Sequence, residues 1–267
     1  RPDDAVLRQR AGQAYLDLHA MVPEAQPDTL IETGLRHLVI SRDLCPNLAQ
    51  PHVRLGEWRH RLARGDDAVR YFERAVRVLP DEHELWFALG RAYLSAGRHA
   101  DSQSIWRHYL VRSRKRLKSV LKLGAEAWGE TALREKVLPP LPSIWREAAT
   151  TLHPDPRDES SRRPYLEQAA RLLVAKSDRT AQDWYDLATI QSQLGRIDEA
   201  IASYRATIEV APDRRAAYNA LVNLLRRHQR FGEARDVLRD WQARFPNDET
   251  AANLIRVVER EMLLHEP

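Results

Sequence analysis

The stretch GAEAWGET, residues 124–131, has the glycine spacing of a phosphate-binding P-loop. Such a loop carries a lysine before its final Ser or Thr, because the ammonium group neutralises the bound phosphate. Glu130 stands at the lysine position here, and its carboxylate would repel a phosphate. The surrounding residues also indicate a helix with no strand before it, so we do not expect nucleotide binding.

Other patterns that support chemistry are absent or incomplete. The ten histidines show no metal-ligand spacing, since His99 and His108, nine residues apart, do not share one helical face. The acidic segment DPRDES, residues 155–160, lacks the glycine and the ordered spacing of a calcium loop. A single cysteine excludes an internal disulfide and a cysteine-based zinc site. We therefore expect no metal, no cofactor and no catalytic activity.

One stretch is strongly basic. RSRKRLK, residues 112–118, places five cations within seven residues: Arg112, Arg114, Lys115, Arg116 and Lys118. Residues 112–122 could therefore bind a polyanion or nucleic acid. The alternative is a solvated helix end, where cations favour the carbonyl end of the helix dipole. No aromatic residues alternate with the cations, and on balance we do not expect nucleic acid as the partner.

Composition points to an all-helical protein. Only 10 of the 267 residues are glycine, 43% are hydrophobic and 30% are charged. The net charge is +4, the difference between 42 basic and 38 acidic side chains, so an acidic partner is permitted but not required. The longest uncharged runs, 44–53 and 216–225, are too short to span a membrane. Because the chain starts at Arg1, we expect it to be a piece of a longer or processed protein, which leaves its compartment and oligomeric state open.

The elements that would position a binding site come from an internal repeat. LWFALGRAYLSAGR, residues 85–98, has a weaker copy in WYDLATIQSQLGR, which begins at Trp184. Proline residues lie 34 positions apart in two places, from Pro46 to Pro80 and from Pro212 to Pro246. Each block reads as two amphipathic helices that end at a proline. A period of this length is typical of a stacked helical repeat.

These residues resemble the tetratricopeptide repeat family, whose 34-residue unit has Trp, Leu-Gly, Tyr, Ala, an aromatic residue, Ala and Pro at fixed places. Leu55-Gly56, Leu89-Gly90 and Leu187-Ala188 match the Leu-Gly position of the first helix. The aromatic position of the second helix is taken by Phe72, Trp106, Tyr204 and, less typically, Leu238. The resemblance covers 49–116 and 181–248 and is looser over 1–48. It implies an all-α, right-handed superhelical solenoid of about seven stacked antiparallel helix pairs with a C-terminal capping helix.

The middle of the chain departs from the repeat. Trp86 and Trp184 are 98 residues apart, four short of three periods, and prolines crowd the segment EKVLPPLP. We expect four segments: helix pairs over 1–128, irregular pairs over 129–180, two repeats over 181–248 and a capping helix over 249–267. Trp86, Trp106, Trp184 and Trp241 are expected to pack inside the repeats, whereas Trp145 is the tryptophan least firmly assigned to the core.

A second resemblance concerns this irregular part. EKVLPPLPSIWREAATTLHPDP is similar to a segment of the tetratricopeptide regions in bacterial O-antigen ligase-like and polymerase-like membrane proteins. It implies that the chain is the soluble extracytoplasmic tail of a membrane-bound glycan-assembly protein. No catalytic residue of such proteins can be transferred, because their membrane-embedded part has no counterpart here.

The first resemblance also implies a binding surface. In tetratricopeptide repeats the first helices line a concave groove that holds a peptide or protein segment. Positions two before and two after the Leu of the Leu-Gly anchor face that groove, together with neighbours one turn away. They are Val53, Glu57, Arg61, Phe87, Arg91, Tyr185, Thr189, Asn219, Asn223, Arg226 and Arg227. We expect a noncatalytic scaffold that binds a protein partner here, with the membrane-protein tail and the polyanion binder as alternatives.

Overall fold

The protein is built from α-helices. The structure, a computed structural model, describes residues 2–21, 27–61 and 65–265. Within these ranges it contains 14 α-helices and no strand, which confirms the all-α prediction. The helices are α1 Pro2–Met21, α2 Pro27–Leu44, α3 Ala49–Arg61, α4 Gly65–Val78, α5 His83–Ser95, α6 His99–Arg112, α7 Leu117–Ala132, α8 Pro142–Leu152, α9 Glu159–Val174, α10 Ala181–Gln193, α11 Ile197–Val210, α12 Arg215–Arg227, α13 Phe231–Arg244 and α14 Glu249–His265.

The helices pack as antiparallel neighbours within two compact units. The first unit is Arg1–Pro139 and the second is Pro140–Pro267. In the first, α1 packs on α2, α3 on α4 and α5 on α6; in the second, α8 packs on α9, α10 on α11 and α12 on α13. The boundary falls inside the segment 129–180, where the sequence is irregular. The finer division into four segments stays a prediction.

Within a helix pair, a small residue on the first helix faces an aromatic ring on the second, which allows the two helices to approach closely. A Cβ atom added to Gly56 would lie 3.1 Å from the ring of Phe72, and one added to Gly90 would lie 2.1 Å from Trp106 Nε1. The hydroxyl of Ser102 in α6 donates a 2.8 Å hydrogen bond to the carbonyl of Gly90 in α5. The Leu-Gly and aromatic positions of the repeat are therefore the two sides of one helix–helix contact.

The fourth pair is incomplete. Gly129 has φ 76° and ψ 164°, which breaks the regular helix near the end of α7. The expected second helix is replaced by a π-helical turn, Leu133–Val137, whose Leu133 lies against Gly124 of α7. Leu133 and Val137 are fully buried, so this short turn still supplies the apolar contact that a longer helix would make. Pro139 and Pro140 follow and prevent its extension.

Side-chain caps fix two helix starts in the second unit. Thr180 caps α10 by accepting a hydrogen bond from the Asp183 amide, while the Asp183 carboxylate accepts one from the Thr180 amide. Asp158 caps α9 by accepting from the Ser161 amide. Such caps satisfy amide groups that the helix itself leaves without partners.

The last helix closes the apolar core of the second unit. Ala251 and Val258 of α14 are fully buried in a cluster with Leu238 and Trp241 of α13. This agrees with the expected capping helix at the C-terminal end of the solenoid. Trp145, the tryptophan least firmly assigned to the core, is also buried at 7% exposure, against Tyr165.

Candidate partner-binding groove

The first unit contains a cleft between its first helices. It has a volume of about 410 Å³ and is lined by four predicted groove residues, Val53 and Glu57 from α3 and Phe87 and Arg91 from α5. These positions are 34 residues apart in pairs, so one helical face per repeat contributes to one surface. We refer to this feature, lined by Val53, Glu57, Phe87, Arg91 and Arg116, as the α3–α5 cleft.

Phe87 differs from the expectation of an open recognition residue. Its side chain is only 9% exposed, because the rings of Trp106 and Tyr109 lie with their centroids 6.1 and 6.0 Å from its own. The guanidinium of Arg116 lies 5.8 Å from the same ring. Phe87 therefore forms the wall of the cleft and contributes mainly to packing between α5 and α6.

The charged groups of the cleft differ in how far they are neutralised. Glu57 accepts a 2.9 Å bond from Arg54 on its own helix, and Arg116 donates a 2.9 Å bond to Glu84. Arg91 is exposed and contacts the neutral acceptor His60 Nε2, at 3.2 Å. Burial, followed by the charge of Arg91, lowers the pKa of His60, which keeps this ring uncharged at neutral pH. Among the described residues Arg91 has no carboxylate partner, so it is the cation available to a ligand.

Arg61, the last residue of α3, lies outside this set. It is exposed, and its guanidinium carbon is 5.2 Å from the ring centroid of Trp58. The contact is a cation–π interaction on the same helix.

In the second unit the predicted groove residues contact one another. Thr189 donates to the carbonyl of Tyr185 at 2.9 Å and lies 3.2 Å from the Tyr204 hydroxyl. Asn223 donates from its amide to the Asn219 side-chain oxygen at 2.9 Å. The two asparagines thus point the same way, as their spacing of four predicts, but part of their hydrogen-bonding capacity is used between them.

Arg226 was expected to face the groove, and the structure shows its guanidinium already paired within the protein. Its Nε and Nη2 atoms donate to the two carboxylate oxygens of Glu261 in α14, at 2.8 and 2.5 Å. The pairing was not foreseen because 35 residues separate the partners and no local pattern connects them. Arg227 next to it remains exposed at the end of α12.

The basic stretch lies across the end of α6 and the start of α7. Arg112 donates to His108 Nδ1 at 3.0 Å, and Lys115 lies 3.9 Å from the Glu84 carboxylate that also binds Arg116. Arg114 and Lys118 are exposed, and neither has an ion-pair partner among the described residues. Three of the five cations are therefore engaged within the chain.

The described ranges hold neither a metal-binding cluster nor a membrane-spanning helix. No three or more His, Cys, Asp or Glu side chains there are arranged to hold a metal ion. None of the helices in those ranges combines the length and apolar character needed to cross a bilayer. The P-loop-like stretch, residues 124–131, lies within α7, and Glu130 follows the break at Gly129.

Comparisons with known proteins give a family match over part of the chain. A protein-family model described as a tetratricopeptide repeat matches residues 61–103 and 185–249. The comparison with curated proteins gives no match.

Several solved structures are similar at low identity. The APC/C hetero-tetramer Cut9–Hcn1 aligns with a TM-score of 0.39 and 16% identity over 92% of this chain and 52% of its own, so this chain spans about half its length. TTC0263, a TPR protein of Thermus thermophilus, aligns with a TM-score of 0.39 and 22% identity over 79% of this chain and 98% of its own. The TPR2AB domain of yeast Sti1, in complex with pHSP90, aligns with a TM-score of 0.37 and 13% identity over 96% of both chains.

Proposed function

Since the chain carries tetratricopeptide repeats at 61–103 and 185–249, we propose that it is a noncatalytic scaffold that binds a segment of a protein partner. Repeats of this kind commonly serve protein–protein interaction. The segment binds in the groove formed by the first helices of successive pairs.

The observation that carries the proposal is the α3–α5 cleft. Four residues chosen from the repeat register, Val53, Glu57, Phe87 and Arg91, line one depression of about 410 Å³. Its wall is apolar at Val53 and Phe87, and its accessible cation is Arg91. A segment with an apolar side chain and a nearby carboxylate would complement both features.

Affinity capture with matched variants tests this proposal. The bait is the chain itself, as wild type, as the cleft variant Arg91→Ala, and as the control Arg77→Ala on α4. Arg77 is exposed and does not line the cleft. We expect specific partners to bind the wild type and the control alike, and to bind the cleft variant about tenfold or more weakly, as for loss of a buried contact at an interface.

A second measurement identifies the contact directly. A photo-crosslinking residue placed at Glu57 should attach to the captured partner, whereas the same residue at Arg77 should not. Equal capture by the cleft variant and the wild type, with crosslinks only from position 77, would show that the groove is not the binding surface.

A further inference from the structure

Arg162 is a buried cation without a partner. Its side chain belongs to the first turns of α9 and is 9% exposed. Its Nε atom is buried and makes no hydrogen bond, and no carboxylate among the described residues lies within ion-pair distance of the guanidinium. A guanidinium that is largely removed from water and has no carboxylate partner is unfavourable, and an anionic ligand at its terminal nitrogens would compensate this cost.

The open side of Arg162 faces a pocket. The pocket has a volume of about 250 Å³ and lies between the first turns of α9 and the last turn of α10. A second cation, Arg163, lines it, together with the hydrogen-bonding side chains of Ser192 and Gln193. A guanidinium group has a planar fork of N–H donors that matches the oxygens of a carboxylate or phosphate.

We propose that this pocket binds an oxyanion, a carboxylate or phosphate group, with Arg162 as its anchor and Arg163 as the second cation. The site lies in the second unit and shares no residue with the α3–α5 cleft. The test of this oxyanion site is therefore independent of the test of the proposed groove function.

Two features oppose an anion and limit its charge. Glu159 also lines the pocket, and the carbonyl end of α10 carries partial negative charge. The Nη1 atom of Arg163 also lies 3.9 Å from the carboxylate of Glu167, which neutralises part of its charge. The site therefore favours a small group that reaches the guanidinium of Arg162, and removal of the Glu159 charge should strengthen binding.

Titration of the whole chain with inorganic phosphate, and separately with acetate, tests the proposal. Binding is followed by the NMR resonances of the arginine Nε–H groups and by the rise of the melting temperature with ligand concentration. We expect saturable binding that Arg162→Gln weakens about tenfold or more and Glu159→Gln strengthens about threefold. Arg157→Gln removes a nearby exposed cation that does not line the pocket, and it should change affinity less than about twofold.

The two probes separate the sources of the anion. Binding of phosphate alone supports a phosphate ligand, and binding of acetate alone supports a carboxylate, such as an acidic side chain. If neither saturates, or if Arg162→Gln and the wild type bind equally, the proposal is wrong. Should Arg162→Gln fail to fold by circular dichroism, the opposite effects of Glu159→Gln and Arg163→Gln decide the question. Tighter anion binding by Glu159→Gln together with weaker binding by Arg163→Gln supports the site. Equal affinity of the two variants excludes it.

Discussion

Arg226 and Glu261 are joined by two parallel hydrogen bonds of 2.8 and 2.5 Å, which connect α12 to α14 across 35 residues. Both side chains are partly buried, with 23% and 28% exposure. The hydrogen bonds that Arg226 donates to the Glu261 carboxylate raise the pKa of Arg226, as expected for a charge-assisted pair. The C-terminal helix is therefore held by a specific ion pair in addition to apolar packing.

Loss of this ion pair should loosen the C-terminal helix. We expect Glu261→Ala to lower the free energy of unfolding by about 1–2 kcal/mol, because it leaves the Arg226 guanidinium partly buried without its carboxylate. Amide hydrogen exchange across 249–265 should accelerate, and urea denaturation gives the free energy. Glu259→Ala, an exposed carboxylate on the same helix, is the control. Equal effects of the two substitutions would mean that the ion pair adds nothing beyond surface charge.

A methyl group at Gly90 should be poorly tolerated. Its Cβ would lie 2.1 Å from Trp106 Nε1 and 2.3 Å from Cδ1, so the indole or the helix must move. We expect Gly90→Ala to destabilise the protein by about 1–3 kcal/mol through overpacking. Thermal and urea unfolding measure the loss.

Gly232→Ala provides the matched control for Gly90→Ala. Gly232 lies in α13, and a Cβ there meets nothing within 4 Å. Alanine should be neutral or should stabilise the helix by up to about 1 kcal/mol. A stable Gly90→Ala variant would contradict the close approach of α5 and α6.

The capping box of α10 should contribute measurably to stability. Thr180 and Asp183 satisfy each other's amide groups, and Lys176 binds the same carboxylate at 2.5 Å. We expect Thr180→Ala to cost about 1 kcal/mol and Thr180→Ser to cost much less, since serine keeps the hydroxyl oxygen. Chemical denaturation of both variants distinguishes loss of the cap from loss of the methyl group, because a methyl contribution would destabilise both equally.

Stability should fall as the pH drops below about 6.5, the ordinary histidine pKa. Burial lowers the pKa of His52, whose Nε2 donates to the Pro46 carbonyl, and burial also lowers the pKa of His60. Below their ordinary pKa of 6.5 the unfolded chain binds protons that the folded histidines do not, so the free energy of unfolding decreases.

Unfolding measured at pH 7.5 and 5.5 checks this pH dependence. The double variant His52→Gln with His60→Gln should lose part of it, whereas His228→Gln, at an exposed position after α12, should retain it. Asp183 contributes to the pH dependence only at lower pH. Burial alone would raise its pKa, but the hydrogen bonds from Lys176 and Thr180 outweigh burial and lower it. An unchanged pH dependence in the double variant would assign the effect to other groups.

The sequence predicts the packing of the repeats well because its signals are local. The Leu-Gly and aromatic positions are read within 34 residues, and the contact of Gly90 with Trp106 follows from them. The prolines at 139 and 140, which limit the second helix of the fourth pair, are visible in the sequence and led to the expectation of irregular pairs. That the missing helix becomes a π-helical turn depends on packing of Leu133 against Gly124, which no propensity reveals.

The candidate sites were only partly predictable. The repeat register places Val53, Glu57 and Arg91 on one surface, but it does not show how deeply Phe87 lies beneath Trp106 and Tyr109. The partner of Arg226 and the isolation of Arg162 depend on contacts, or missing contacts, with other helices. A charged residue on a helix looks alike in sequence whether it is solvated, paired or buried.

Packing between neighbouring helices has a consequence for cooperativity. Within each unit, α-helices contact mainly the helices next to them in sequence, so stability is close to a sum of nearest-neighbour terms. A destabilising substitution in one helix pair lowers the stability of the adjacent pairs most, and its effect becomes smaller with distance along the chain. The ion pair between Arg226 and Glu261 therefore opposes separation of α14 from α12, the first step of any unfolding that starts at the C-terminal end of the second unit.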